Sequence, residues 1–143
     1  MREDTRRPVA ENYPWSTTMD TRFADMDINR HLNNVAITRY FEEARIRFNW
    51  ALIKDGGLPA RPHYLVAHVA VDFLGEGSYP EPVTVTYAVG NIGRSSFRCL
   101  MGLFQSGACI ALGDTVLVYR GADGPAPLPA HLRARLEAFP LKG

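Results

Sequence analysis

The chain has 143 residues, 46% of them hydrophobic and 22% charged, and its sixteen Lys and Arg nearly balance fifteen Asp and Glu for a formal net charge of +1. That length suits one domain around one core, and the balanced charge gives no general attraction to nucleic acid or to an anionic membrane surface. No apolar run reaches the roughly 18 residues of a membrane span, and Met1 to Pro8 lacks the apolar stretch of a secretory signal, so a cytoplasmic protein is expected.

Residues 1–14 are polar, hold two prolines and show no apolar period, so they read as a flexible N-terminal arm ahead of a single domain over 15–143. A first strand is expected from Trp15 to Phe23. The next segment, Asp25 to His31, is too polar for a core element and reads as a loop. Asn33 or Asn34 then caps a helix in which Ile37, Phe41, Ala44, Phe48 and Leu52 recur at steps of three and four. This helix should run from about Val35 to Lys54, where Gly56-Gly57 and Pro59 stop it. Glu43 stands four residues from both Arg39 and Arg47, which accounts for it as part of a surface ion-pair row.

The remainder alternates as strands do. In His63 to Leu74, the residues Leu65, Ala67, Val69, Val71 and Phe73 are expected on one face. Val83, Val85, Tyr87 and Val89 make a second alternating set, and Phe97, Cys99, Met101 and Leu103 a third. Ala108 to Arg120 is nearly continuous in apolar residues, as for a strand buried on both faces. A turn centred near Ser106 would set Cys99 opposite Gly113 and Cys109 opposite Leu103, so the two cysteines read as free thiols and not as a disulfide. Leu132, Leu136 and Phe139 suit a short amphipathic tail helix. One strand, one long helix and four further strands describe an α+β layer structure, a helix lying across a mostly antiparallel sheet. Such a sheet has open edges and one helix for a broad face, so a homodimer or homotetramer is expected.

The densest set of hydrogen-bonding and titratable groups lies between Arg22 and Asn34, directly before the long helix. A helix N-terminus presents N–H groups without partners and a partial positive charge, which can stabilise a carbonyl oxygen that gains negative charge. A carboxylate held beside those donors makes two parts of an acyl-transfer site. The same polar residues would also serve as a plain capping loop.

Arg22, Asp25, Asp27, Asn29, His31, Asn33 and Asn34, with Tyr40 and Glu43-Ala44-Arg45 behind them, resemble the pattern of hot-dog-fold acyl thioesterases. The nearest branch is that of acyl-ACP thioesterases and 4-hydroxybenzoyl-CoA-type thioesterases. In element order the resemblance covers roughly residues 16–120. It implies a hot-dog fold, one long central helix wrapped by an antiparallel sheet of about five strands, and hydrolysis of an acyl-CoA or acyl-ACP thioester without a cofactor. Carried over by residue, it makes Asp27 the catalytic carboxylate, as nucleophile or general base. Asn29 and His31 would orient water or polarise the thioester, and the backbone N–H groups of Asn33 and Asn34 would form the oxyanion hole. The turn carrying Arg94, Ser95 and Ser96 corresponds to one that contacts the CoA or pantetheine arm. Asp25 reads as structural. The acyl-CoA branch usually has Gly in place of Arg30, so this chain departs from it there.

His63 and His68 lie in a strand-like run, and no His, Cys, Asp and Glu set has metal-ligand spacing. No serine sits in a Gly-x-Ser-x-Gly elbow. Two other functions share the expected fold: a non-catalytic acyl-binding scaffold and an enoyl-thioester hydratase or dehydratase.

Overall fold

The computed structural model describes all of residues 1–143. In chain order its elements are β1 (Trp15–Met19), α1 (Asn34–Lys54), β2 (Tyr64–Phe73), β3 (Val83–Ile92), β4 (Ser96–Gln105), β5 (Ala108–Gly121), β6 (Gly124–Pro125) and α2 (Ala130–Glu137), with 3-10 turns at Ala10–Asn12 and Phe23–Asp25. The sheet is antiparallel in the order β1-β3-β4-β5-β2, and β6 adds a short pairing to β5. One helix against a curled sheet of this order is the hot-dog arrangement that the resemblance implies.

Asn33 is the residue that caps α1: its Oδ1 accepts from the Ala36 N–H at 2.7 Å. The helix buries Ile37, Phe41, Ala44, Phe48 and Leu52, the stripe that its spacing predicts, and Ala36 and Tyr40 beside it. It stops where Gly56 takes a φ of +78°, a conformation that a side chain disfavours. Phe48 stacks on Tyr87 at a 4.0 Å centroid separation, and Trp15 meets Phe48 edge-on at 5.4 Å. α1 crosses β5 so closely that a Cβ at Gly113 would come within 3.1 Å of the Phe41 ring.

Several local expectations shift. β1 ends at Met19 and not at Phe23, because the Thr21 hydroxyl bonds the Glu81 carbonyl and residues 23–25 coil into a 3-10 turn. In β2 a register shift between Val66 and His68 interrupts the alternation. Val69, Val71 and Phe73 lie opposite Thr115, Gly113 and Ala111 on the helix side, but Leu65 falls on the other face. The β4–β5 turn is centred between Ser106 and Gly107, both at positive φ, and a further shift follows Leu103. Cys99 therefore faces Thr115 and Cys109 faces Phe104, and both thiols are free.

The arm is docked against the sheet. Arg7 is 3% exposed; its guanidinium donates to the carbonyls of Met101 and Gly113 and lies 2.8 Å from Asp114. Its Nε donates to the Tyr13 hydroxyl, which donates back to the Arg7 carbonyl. Tyr13, Ala88 and Phe104 form a small second core there, on the face away from α1. Polar composition misleads at this point, because one cation satisfied by carbonyls and a carboxylate can be buried without an apolar period.

Candidate active site

Residues 26–32 form a tight loop between the Phe23–Asp25 turn and α1. Met26 and Leu32 pair as an isolated bridge, the Asp27 N–H donates to the His31 carbonyl at 2.9 Å, and the Arg30 N–H donates to the Asp27 carbonyl at 3.0 Å. Closing so short a loop puts Arg30 at φ +63°, the left-handed region that glycine occupies without a Cβ clash. The departure of this chain from the Gly of the acyl-CoA branch therefore falls on a position with a steric reason to be glycine.

Asp27 is exposed. Its Oδ1 accepts from the N–H groups of Asn29 at 2.9 Å and His31 at 3.4 Å, while Oδ2 has no protein partner. The loop thus aims one carboxylate oxygen and keeps the other free. Asn29 is exposed beside it, and the His31 Nε2 lies 3.0 Å from a Glu76 carboxylate oxygen. The Asn33 N–H is already taken by the Asp25 carbonyl at 2.9 Å. The first helix N–H groups without a protein partner belong to Asn34 and Val35.

Asp25 has a different environment. It is 2% exposed and accepts from the Arg22 N–H and guanidinium, from the Arg39 guanidinium and from the Tyr40 hydroxyl at 2.5 Å. Burial by itself would raise its pKa. The bonds from Tyr40 and Arg22 outweigh that burial and hold the carboxyl below its ordinary range. Burial and the neighbouring Asp25 carboxylate both push the Tyr40 hydroxyl up. Asp25 is an anchor that joins the loop to α1, as the sequence suggests. Glu43 pairs with Arg47 on the surface of α1, and Arg39 turns to Asp25 instead.

Two residues outside the motif support the loop. The Gly77 carbonyl accepts the Leu32 N–H at 2.8 Å, and a Cβ on Gly77 would come within 2.7 Å of Ile110, 2.9 Å of Leu32 and 3.0 Å of Gln105. Glu76 holds His31. Both lie more than forty residues beyond the motif, and no local pattern marks them.

Arg94, Ser95 and Ser96 are not brought to this loop within one chain. Arg94 and Ser95 sit in the β3–β4 turn and Ser96 opens β4; the Ser95 carbonyl accepts from the Tyr119 N–H and the Arg94 carbonyl from the Leu128 N–H. The loop adjoins the other end of β3, near the Met19–Val83 pair. The nine steps from Val83 to Ile92 separate the two ends of β3 by about 30 Å. A groove of about 570 Å³ runs along α1 past Asp20, Arg22, Asp25, Arg39, Glu43 and Arg47, and Asp27 does not line it. A groove of about 620 Å³ lies between the arm and the end of the sheet that carries the β4–β5 turn, also without Asp27. No cluster of three or more His, Cys, Asp or Glu side chains is arranged to hold a metal ion, and no helix is long and apolar enough to cross a membrane.

Residues 21–136 match the family model of the thioesterase-like superfamily. The chain belongs to the thioesterase-like superfamily. Within it, the chain is similar to a thioesterase from Thermus thermophilus solved with coenzyme A and zinc, at 33% identity over 90% of this chain and 95% of that one, TM-score 0.78. A protein of Pseudomonas aeruginosa strain PAO1 shares 29% identity over 94% of this chain and 97% of its own, TM-score 0.80. A thioesterase-superfamily protein from Jannaschia sp. CCS1 shares 27% identity over 86% and 82%, TM-score 0.74. Among curated proteins nothing matches. For this superfamily member, the match begins just before the Asp25–Asp27 segment and runs to the end of the sheet and into α2.

Proposed function

We propose that this protein hydrolyses an acyl-CoA or acyl-ACP thioester to a carboxylic acid and a thiol, with Asp27 as the catalytic carboxylate. The observation that carries this reading is the free Oδ2 of an otherwise fixed carboxylate, held one short loop away from the partnerless N–H groups of Asn34 and Val35. The thioester carbonyl oxygen would rest on those N–H groups. Charge developing on it is then met by preorganised donors and the positive end of α1. The oxyanion role is assigned to Asn34 with Val35 and not to Asn33, whose N–H is occupied.

Asp27 either attacks the carbonyl carbon, giving a mixed anhydride that water then cleaves, or removes a proton from the attacking water. In both routes the C–S bond breaks: in the first the thiolate is expelled as the anhydride forms and takes its proton from water, and in the second Asp27 hands it the proton taken from the attacking water. His31 and Asn29 orient the water or polarise the thioester, and Glu76 fixes the His31 ring. The site is completed in a homodimer. β2 is a ten-residue edge strand with Leu65, Val66, Val69 and Phe73 all exposed, a surface suited to pairing with a second copy. Across such an interface the partner's Arg94, Ser95 and Ser96 come to the same side as Asp27 and would take the phosphate of the pantetheine arm.

Release of free thiol from a panel of acyl-CoA and acyl-ACP substrates tests the reading. Wild-type protein should turn over at least one class. Asp27→Asn should retain fold and assembly and lose turnover, and near-normal turnover by a folded Asp27→Asn protein would overturn the assignment.

A further inference from the structure

In the dimer proposed above, on which the following contact rests, the Asp27 loop lies at the subunit boundary. The Glu76 side chain is 72% exposed and carries the His31 imidazole as its single partner. A carboxylate has room for further donors, and this chain supplies none. At the opposite end of the same edge strand, Arg61 is exposed and makes no ion pair or hydrogen bond within its own chain.

Two identical β2 edges that join with both helices on one face run antiparallel about a two-fold axis. The basic approach to one strand, Arg61 and His63, then meets the acidic exit of the other, Glu76 and the adjoining Asp27 loop. A register that sets Tyr64 opposite Phe73 of the other copy would, continued three residues beyond each strand end, bring Arg61 to Glu76; the Phe73 carbonyl, which accepts from Arg2 at 3.1 Å, keeps a second lone pair for that ladder. The long Arg stem tolerates a small offset in that register. Opposite charges at this spot favour the antiparallel dimer, whereas the apolar residues between them carry no directional preference.

We infer that Arg61 of the partner subunit ion-pairs with Glu76 and acts in trans as the positioning residue for His31. Glu76 is then clamped between the partner's Arg61 and its own His31. Through the Leu32–Gly77 bond beside it, the Asp27 loop is tied to the neighbouring chain. Each active site is thereby built from two copies.

The test reads His31 and not turnover, so it stands apart from the thioesterase assignment. Arg61→Ala protein is labelled with 15N and its His31 imidazole signals are recorded by NMR at one fixed pH. They are recorded for the variant alone, and again after reassembly with excess unlabelled wild-type chain. Removing the cation takes away the second partner of Glu76, so the position of the His31 imidazole 15N signal should change in the variant. In the mixed dimer it should return to the wild-type value, because the labelled chain receives Arg61 from its partner. Arg61→Lys should keep most of the wild-type value. A wild-type protein that is monomeric by light scattering, a His31 signal unmoved in Arg61→Ala, or a change that persists in mixed dimers would each overturn the inference. Loss of thioesterase activity in the substrate panel would instead strike the functional reading and leave this contact standing.

Discussion

Asp25 and Asp27 stand two residues apart in one polar loop, and the fold treats them in opposite ways. Asp25 is sealed beneath α1 with two guanidinium groups, a phenol hydroxyl and a backbone N–H on its oxygens. Asp27 is turned to solvent with one oxygen fixed by its own loop and the other unoccupied. A carboxylate with every lone pair engaged stabilises structure and has nothing left for a substrate. One that is only half engaged is aimed and keeps an oxygen free. The division of labour follows from side-chain direction: residue 25 ends a 3-10 turn packed on the helix, and residue 27 opens the loop that leaves it.

That contrast is open to direct attack. The largest effect should come from Asp27→Asn: turnover falling by about 10³-fold or more, with thermal stability within about 0.5 kcal/mol of wild type. Asp25→Asn should do the reverse, costing about 2–3 kcal/mol in chemical denaturation with far less effect on turnover per folded molecule. Its stability difference should also depend on pH. The folded Asp25 carboxyl titrates below the unfolded value of about 3.9, so its stabilisation is present above that value and disappears as pH falls through the folded one. The gap between wild type and Asp25→Asn should therefore close on acidification below about pH 4; a constant gap would show that the charge on Asp25 contributes nothing.

Gly77→Ala tests the platform under the loop. A methyl group within 2.7 Å of Ile110 and 2.9 Å of Leu32 forces one of them to move, which should cost about 1–3 kcal/mol and lower kcat as Leu32 pulls the Asp27 loop with it. The smallest effect is expected from Arg30→Gly. Relieving the left-handed strain, offset by the extra freedom of an unfolded glycine, should change stability by less than about 1 kcal/mol, upward in sign, as a small rise in Tm.

Much of this architecture is visible in the residue order alone. The three-and-four spacing of Ile37, Phe41, Ala44, Phe48 and Leu52 defines α1, and the polar run from Arg22 to Asn34 locates the candidate site, because both are local patterns imposed by a helix period and by an unburiable loop. The helix-side face of β2 is less legible. A single inserted residue near Ala67 reverses the alternation, and nothing in the composition of the strand announces a bulge.

Arg7, Glu76 and Gly77 show the same limit from three directions. Arg7 looks like one cation in a polar arm, and only the folded sheet offers the two carbonyls and the Asp114 carboxylate that allow its burial. Glu76 and Gly77 support a loop more than forty residues earlier, across contacts made when β2 and β5 align. Local order along the chain determined which segments would be helix, strand and polar loop, since periodicity and capping act over a few residues. Tertiary structure decided which of two neighbouring aspartates is an anchor and which is free, which helix N–H groups remain available, and how far Arg94 lies from Asp27, since each depends on groups that meet only when distant strands pair.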